Sequence, residues 1–364
     1  MPHSMNSAMN DFEAYLDKST AKGANVVPGA IMAAVDSAGQ SKTAGYDGVA
    51  EDAQPVSFDQ VAYIASRTKL ITSIASLQIV EHPRLLAWRK SRGENAGVSG
   101  EGDVANDCAY PRAYEAGDSW AYSTGLDWAS LLVSRLTNSS FEEYIQEHIA
   151  KPLGVTSFTW HLARKPAVAQ KVMRMNTRQS DGIFVESRGP FGPAEPKSEG
   201  GGGGMYASVH DYTRVLSDLL KDEPVLLEKS SVDQLFTPQL AVGSDALAAL
   251  ATDKFAVKPA LDNSLEGVSI NHTLGGLLLV EDVQRENYFK PKDSVLFTKR
   301  FLFLSRKTNY AADLLHIDIA ASSVLVCSAL TYFPPHFVVY GPSLRRLVGG
   351  GSSSQSVNSY WFCG

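Results

Sequence analysis

Periodic and alternating apolar residues near the start of the chain predict a surface helix followed by a hairpin. Residues 10–18 place Phe12, Tyr15 and Leu16 at helical spacing, and Gly23 follows as a stop. Two short runs then occur, at 26–36 and 42–48, with the turn-forming segment Ser-Ala-Gly-Gln between them. This arrangement is typical of an antiparallel hairpin, so we expect a sheet to begin here.

Longer periodic segments predict further helices. Between Ser66 and Glu81 the apolar residues recur three or four positions apart without glycine or proline, which indicates a largely buried helix. Segments 128–136 and 141–149 have the pattern of a helix pair, closed by Pro-Leu-Gly. Segment 209–220 is also predicted to be helical.

The pattern changes character after Val283. Up to that point periodic segments alternate with turn signals, whereas residues 284–364 combine basic and aromatic clusters, a poorly periodic apolar run and a glycine-serine run. We therefore predict a main domain over 1–283 and an atypical C-terminal segment over 284–364. Its apolar stretch, 317–340, approaches the length of a membrane span but contains Asp318, two prolines and a histidine, so we expect no membrane insertion.

The composition indicates a globular protein and argues against nucleic acid as a partner. Of 364 residues, 44% are hydrophobic and 20% are charged, and the formal net charge is -6. No Lys- or Arg-rich run offers a basic surface to phosphate groups. The first twelve residues lack the basic and apolar regions of a signal peptide, so we expect a cytoplasmic protein.

The cysteines and histidines predict no metal site. Cys108, Cys327 and Cys363 form no Cys-x-x-Cys pair and no regular framework. The eight histidines are scattered, without His-x-His or His-x-x-x-His. We therefore expect no metal and no other cofactor, and a metal hydrolase is disfavoured.

One pair of residues at the start of the buried helix carries candidate chemistry. Ser66 and Lys69 fit the pattern Ser-x-x-Lys, which places both side chains on one helical face, one turn apart. A serine hydroxyl is a poor nucleophile until an adjacent base accepts its proton, and a lysine in a dry pocket loses part of its preference for the charged form. We interpret Ser66 as a nucleophile and Lys69 as its proton acceptor.

The four-residue pattern alone is weak, because Ser19 and Lys22 match it as well. That copy ends a charged helix and leads into Gly23, whereas Ser66 precedes a strongly apolar segment. We therefore expect only Ser66 to act. The alternative is that Ser66 caps a helix and Lys69 is a solvated residue of its first turn.

The sequence around this pair resembles a known family. Residues 63–72, Tyr-Ile-Ala-Ser-Arg-Thr-Lys-Leu-Ile-Thr, are similar to the nucleophile helix of the β-lactamase-related, penicillin-binding-protein-like serine hydrolases. The resemblance is greatest to fungal esterases and lovastatin-type acyltransferases. Residues 115–125 resemble the family's second motif, and 151–155 and 201–206 resemble two further signatures, all in the family's order.

The resemblance implies a role for Tyr122, which lies in the second motif. In the family a tyrosine at this place stands beside the nucleophile. Tyr122 would then hydrogen-bond with Ser66 and Lys69 and relay the proton to the leaving group. The alternative is that Tyr122 is a core aromatic residue on a turn.

Two features depart from the family's pattern. The lid region after Glu81 is shortened, and no Lys-Thr-Gly or Lys-Ser-Gly occurs to form the third motif, which supplies a backbone N–H to the oxyanion hole. Gly275 and Gly276, in His-Thr-Leu-Gly-Gly, are the nearest candidates for lining the substrate pocket. We assign His272 no role, and we interpret the glycine run 200–204 as a structural turn because no Gly-Lys-Ser/Thr follows it.

The family likeness leads to an expectation of both fold and activity. It implies an α/β fold of the α+β type, with an antiparallel sheet flanked by helices and a mostly helical subdomain. It also implies serine-dependent acyl transfer through an acyl-enzyme on Ser66, from a small-molecule ester or thioester to water or an alcohol, in fungal polyketide metabolism. A catalytically defective or non-catalytic family member is the alternative, which the two departures favour.

Overall fold

The computed structural model describes most of the chain as strands, helices and short connections. The described residues are 14–24, 26–35, 40–45, 48–81, 103–108, 114–174, 176–179, 181–186, 195–253, 257, 261, 264–284, 289–296, 302–305 and 310–316. Within them the strands are β1 (Gly29–Val35), β2 (Gln40–Gly45), β3 (Val61–Tyr63), β4 (Asn176–Arg178), β5 (Phe184–Glu186), β6 (Tyr206–Ser208), β7 (Ile270–His272), β8 (Leu277–Leu279), β9 (Val283–Gln284), β10 (Phe289–Lys290), β11 (Ser294–Leu296), β12 (Leu302–Ser305) and β13 (Tyr310–His316).

The helices lie mainly between β3 and β7. They are α1 (14–19), α2 (Thr68–Glu81), α3 (Val104–Asp107), α4 (Gly125–Thr137), α5 (Phe141–Ile145), α6 (Pro166–Ala169), α7 (Val209–Leu220), α8 (Lys229–Gln234) and α9 (Asp245–Thr252). A 3-10 turn, Ala65–Arg67, leads into α2, and α5 continues through a π-helical turn, Gln146–Ala150, and a last turn, Lys151–Leu153. No helix in the described ranges has both the length and the apolar character needed to cross a membrane.

A seven-stranded antiparallel sheet forms the centre of the fold. Its order is β2-β1-β13-β12-β11-β8-β7. The predicted hairpin is confirmed as β1 and β2, with Ala30 opposite Ala44. On its other side Ala30 lies opposite His316 of β13, so strands from the two ends of the described chain are neighbours.

Part of the segment 284–364 belongs to the main sheet. Strands β11, β12 and β13 lie within it and pair with one another and with the rest of the sheet. Strand β13 pairs with β1 from the other end of the described chain, and local periodicity does not reveal so distant a pairing. The division at Val283 stays a prediction, and the apolar stretch 317–340 lies outside the described residues.

Helices pack against this sheet, as predicted, and the buried helix is confirmed as α2. Helix α7 contacts β1 and β13, and α2 contacts α4. The main core joins apolar side chains of α2, α5, α7 and the sheet; examples are Ile71, Ile74, Phe141, Ile145, Tyr212, Leu216, Leu278 and Val295. Burying one such side chain contributes about 1.5–3 kcal/mol, so α2 is firmly anchored below its first turn.

The predicted helix pair is also confirmed, with small shifts at its ends. Helix α4 begins three residues before the predicted start and ends at Thr137, and the C-cap residue Asn138 has a φ of 56°. Ser140 and Glu143 form a capping box at the start of α5, each side chain bonding the other's backbone N–H. Helix α7 has the predicted bounds.

A short ladder between β3 and β6 positions the candidate site. Tyr63 lies opposite Tyr206, and the Ile64 N–H donates to the Met205 carbonyl at 2.9 Å. Only Ile64 separates β3 from the turn that holds Ser66, and only Met205 separates the glycine run 200–204 from β6. The ladder therefore holds the glycine run beside the start of α2.

Candidate active site

Ser66 lies in a strained turn at the start of α2. The residue before it, Ala65, has a φ of 47°, in the left-handed region that residues with a Cβ rarely adopt. Such a conformation costs about 1–2 kcal/mol, and strain of this kind concentrates at functional sites. Ser66 itself is half-buried.

The structure brings Ser66 and Tyr122 into direct contact. The Ser66 Oγ and the Tyr122 hydroxyl are 2.7 Å apart, and either group can donate the hydrogen bond. Tyr122 lies in the loop before α4 and is half-buried. Because Tyr122 is only half-buried and its hydroxyl contacts the Ser66 hydroxyl, the alternative of a core aromatic residue does not fit.

Lys69 completes the group. Its side chain is buried, with 7% exposed, which excludes the alternative of a solvated first-turn lysine. The Lys69 Nζ lies 4.9 Å from the centre of the Tyr122 ring and donates to the Gly202 carbonyl at 2.6 Å. The three residues predicted to carry the chemistry therefore lie together at the start of α2.

The glycine run is more than a turn, because it supplies the acceptor for Lys69. Side chains from three different parts of the chain bind consecutive carbonyl oxygens of residues 199–203. The donors are Ser130 Oγ to Glu199 at 2.9 Å, Trp160 Nε1 to Gly200 at 3.0 Å, Thr72 Oγ1 to Gly201 at 2.8 Å, Lys69 Nζ to Gly202 at 2.6 Å and Trp160 Nε1 to Gly203 at 3.2 Å. Such a fully bonded backbone makes a fixed cradle for the Lys69 amine.

Close packing explains why this cradle needs glycine. A Cβ on Gly201 would overlap the Leu126 carbonyl oxygen and would lie 2.8 Å from Thr72 Cγ2 and 2.9 Å from Ser130 Cβ. The position therefore lets the loop approach α2 and α4 closely. The sequence signal for this was the resemblance of residues 201–206 to a family signature.

Asp127 is a site residue that the sequence reasoning missed. It lies in the first turn of α4, and its Oδ1 accepts the Gly202 N–H at 2.8 Å. Burial raises the pKa of Asp127, while the Gly202 N–H and the charge of Lys69 act in the opposite direction. The one available signal was an aspartate five residues after Tyr122, at a helix start, where a carboxylate is favourable.

Gly275 and Gly276 lie in the turn between β7 and β8. Both of their backbone N–H groups donate to Thr273 Oγ1, at 3.1 and 3.0 Å. In this structure both backbone amides therefore form hydrogen bonds within the turn. Their role as substrate-binding residues stays a prediction.

His272 precedes this turn and packs against the loop that carries Tyr122. Its ring centre is 5.7 Å from that of Trp120, and its Nδ1 lies 2.6 Å from the Thr273 carbonyl, which can only accept. The Nδ1 therefore carries a proton, and burial lowers the pKa of His272, so the ring is neutral near pH 7.

The second Ser-x-x-Lys pattern has a different environment. Lys22 is exposed and donates to the Glu51 carbonyl at 3.2 Å, and Gly23 follows with a φ of 85°. No buried helix continues from it.

Residues 82–100, which contain the predicted shortened lid, lie outside the described ranges. Among the described residues no group of three or more His, Cys, Asp or Glu side chains is placed to hold a metal ion.

Comparisons with known proteins agree with the fold and the motifs. A family model described as Beta-lactamase matches residues 104–254. The acyltransferase calJ of Penicillium decumbens is 29% identical, with 76% of this chain and 84% of calJ covered. The resemblance to the β-lactamase-related family that the motifs predict is confirmed. A lovastatin esterase of Penicillium rubens is 26% identical, over 71% of this chain and 80% of the esterase.

A solved structure has the same architecture as this β-lactamase-like chain. Unliganded simvastatin synthase (LovD) of Aspergillus terreus superposes with a TM-score of 0.74 at 24% identity, covering 89% of this chain and 96% of that one. This likeness shows the fold, and the predicted β-lactamase and penicillin-binding-protein-like fold is confirmed. With relatives named an acyltransferase and an esterase, the chain is an enzyme of the esterase and acyltransferase class.

Proposed function

We propose that this enzyme forms an acyl-enzyme on Ser66 and transfers the acyl group of a small-molecule ester or thioester to an alcohol or to water. The observation that carries the proposal is the 2.7 Å contact between the Ser66 Oγ and the Tyr122 hydroxyl, with the buried Lys69 amine 4.9 Å from the centre of the Tyr122 ring. A serine becomes a competent nucleophile when such a base lies within reach of its proton.

Acylation would proceed in a balanced sequence of bond changes. The Ser66 Oγ attacks the carbonyl carbon, and its proton passes to Lys69, directly or through the Tyr122 hydroxyl. As the tetrahedral intermediate collapses, the bond to the leaving oxygen or sulfur breaks, Tyr122 donates its hydroxyl proton to that atom, and the Tyr122 oxygen takes up the proton that Lys69 received. The product of this half-reaction is an ester between the acyl group and Ser66.

Deacylation would use the same groups in the opposite direction. An acceptor hydroxyl, or water, loses its proton to the Tyr122 and Lys69 pair and attacks the acyl-enzyme, and the released Ser66 Oγ recovers a proton. Whether water or alcohol attacks decides between esterase and transesterase activity. The relatives named above support a donor and an acceptor from fungal polyketide metabolism, and a cytoplasmic location remains our prediction.

One observation favours a second candidate, a non-catalytic family member. Oxyanion-hole catalysis needs a backbone N–H from the strand side of the pocket, and losing one such donor typically lowers the rate by about 100- to 1,000-fold. The candidates for that donor, Gly275 and Gly276, have both amides bonded to Thr273 Oγ1. A protein that binds an ester without turning it over would fit that arrangement.

Turnover of a p-nitrophenyl acyl ester, with and without an added alcohol, separates these candidates. The proposal predicts p-nitrophenolate release by the wild type and, with the alcohol, a new ester at the expense of free acid. Ser66→Ala and Lys69→Ala should both abolish release, and Ser19→Ala should not change it. No release by a folded wild type that still binds the ester would favour the non-catalytic candidate.

A further inference from the structure

We propose that Asp127 is a positioning residue for Lys69: its carboxyl group fixes the Gly202 backbone, and the Gly202 carbonyl in turn holds the Lys69 amine over the ring of Tyr122, the partner of Ser66. The inference rests on the proposed function of Ser66 and Lys69. It adds a residue that touches neither the substrate nor the reacting atoms.

The contacts form a chain from α4 to the amine. Asp127 Oδ1 accepts the Gly202 N–H at 2.8 Å, and the Gly202 carbonyl accepts from Lys69 Nζ at 2.6 Å. The peptide unit that contains the Gly202 N–H is also held at its other end, where Thr72 Oγ1 donates to the Gly201 carbonyl at 2.8 Å. Both polar groups of that peptide are therefore fixed by side chains.

Glycine makes this external support necessary. Gly202 has no side chain that limits its φ and ψ angles, so its carbonyl points at Lys69 only while the neighbouring peptide is held in place. A Cβ at Gly202 would overlap the Asp127 carboxyl group, and one at Gly200 would lie 2.9 Å from Asp127 Oδ1. The carboxyl group thus occupies the space that side chains would fill in an ordinary loop.

Helix α4 holds Asp127 in a fixed position. The Asp127 N–H donates to the Thr124 carbonyl at 3.0 Å, and Ser130 Oγ donates to the Asp127 carbonyl at 2.8 Å and to the Glu199 carbonyl at 2.9 Å. The helix start and the glycine run are therefore bound to each other at two points. Tyr122 lies five residues before Asp127, so the same segment carries the partner of Ser66 and the support of Lys69.

Position and charge can be tested separately at this residue. Asp127→Asn keeps an oxygen acceptor for the Gly202 N–H but removes the charge. Asp127→Glu keeps the charge but carries the oxygens one methylene further out, into the glycine run. If position matters, the asparagine variant should work and the glutamate variant should not.

The experiment measures the acylation rate of the full chain with a p-nitrophenyl acyl ester in the wild type, both Asp127 variants, Ser66→Ala and a matched control. The control is Asp245→Ala, which removes an exposed aspartate from the first turn of α9. A misplacement of about 1 Å at a reacting group costs about 100-fold. We therefore expect Asp127→Glu to lower kcat about 100-fold with KM nearly unchanged, while Asp127→Asn stays within about tenfold of the wild type and the control is unaffected.

Other outcomes overturn the inference or its premise. Wild-type rates in both Asp127 variants, or a fast glutamate variant beside a slow asparagine variant, would contradict a positioning role. Equal melting temperatures of the two Asp127 variants would show that the rate difference does not come from unfolding. Acylation that persists in Ser66→Ala would contradict the proposed function itself, whatever the Asp127 variants do.

Discussion

Replacing Tyr122 by phenylalanine tests the proton relay with a single oxygen atom. The substitution removes the hydroxyl that lies 2.7 Å from Ser66 Oγ but keeps the ring whose centre is 4.9 Å from Lys69 Nζ. The cation–π contact, worth about 0.5–1 kcal/mol, is therefore retained. The change isolates the hydroxyl from the packing of the ring.

The expected effect on rate is much larger than the effect on stability. A positioned general acid or base contributes about 100- to 10,000-fold, and we expect acylation to slow by about 1,000-fold, or about 4 kcal/mol. The lost hydrogen bond is worth about 1 kcal/mol of folding free energy at most, because water can replace the hydroxyl at this half-buried position. The protein should therefore remain folded.

A rapid-mixing experiment with enzyme in excess over p-nitrophenyl acyl ester measures the acylation step directly. Tyr114→Phe is the matched control, since Tyr114 is 36% exposed and lies near the start of the same loop. The reasoning would be refuted if Tyr122→Phe released p-nitrophenolate within about threefold of the wild-type rate while Ser66→Ala released none.

Three further predictions concern the cradle, the strained turn and two buried phenols. Gly201→Ala should lower the free energy of unfolding, measured by urea denaturation, by about 1–3 kcal/mol because the new Cβ would overlap a backbone oxygen. Gly203→Ala should leave it nearly unchanged, since a Cβ there would meet only Tyr63 Oη at 3.6 Å. Equal losses in the two variants would contradict the packing argument. Ala65→Gly should raise the free energy of unfolding by about 1 kcal/mol by relieving the left-handed conformation, and a loss of stability would count against strain there. Burial raises the pKa of Tyr144 and of Tyr206 to about 12. Because the folded protein favours the neutral form of these two phenols, they contribute to stability below a pH of about 10, and this contribution is lost as the pH rises towards about 12. The circular dichroism signal and the tyrosine absorbance should therefore change together over that interval. Complete ionisation of the tyrosines near pH 10, in a protein that is still folded, would contradict the raised pKa of Tyr144 and Tyr206.

Local sequence patterns were sufficient to predict the helices and strands whose apolar residues recur at regular spacing or flank a turn. Helix α2 follows from its apolar spacing, and the hairpin of β1 and β2 follows from two runs around a turn. The contact of Ser66 with Tyr122 could not be derived in that way, because 56 positions separate the residues and a loop carries one of them. It was expected only through the resemblance to a family.

Other features lay beyond sequence reasoning because they depend on distant partners. Strand β13 pairs with β1 across most of the chain, and its sequence, Tyr-Ala-Ala-Asp-Leu-Leu-His, does not alternate regularly between apolar and polar residues. The support of Lys69 was missed for a similar reason: a glycine run has no side chain to suggest a function. Its acceptor is a backbone carbonyl, which the sequence letters do not distinguish from any other.

The most direct test of the central claim is to locate the acyl group by mass spectrometry. The wild-type chain is incubated with a p-nitrophenyl acyl ester, quenched in acid, weighed intact and then digested, with Ser66→Ala treated in parallel. The account predicts a mass gain of one acyl group in the wild type, carried by the peptide that contains Ser66, and no gain in the variant. An acyl group on another residue, or an equal gain in Ser66→Ala, would contradict it.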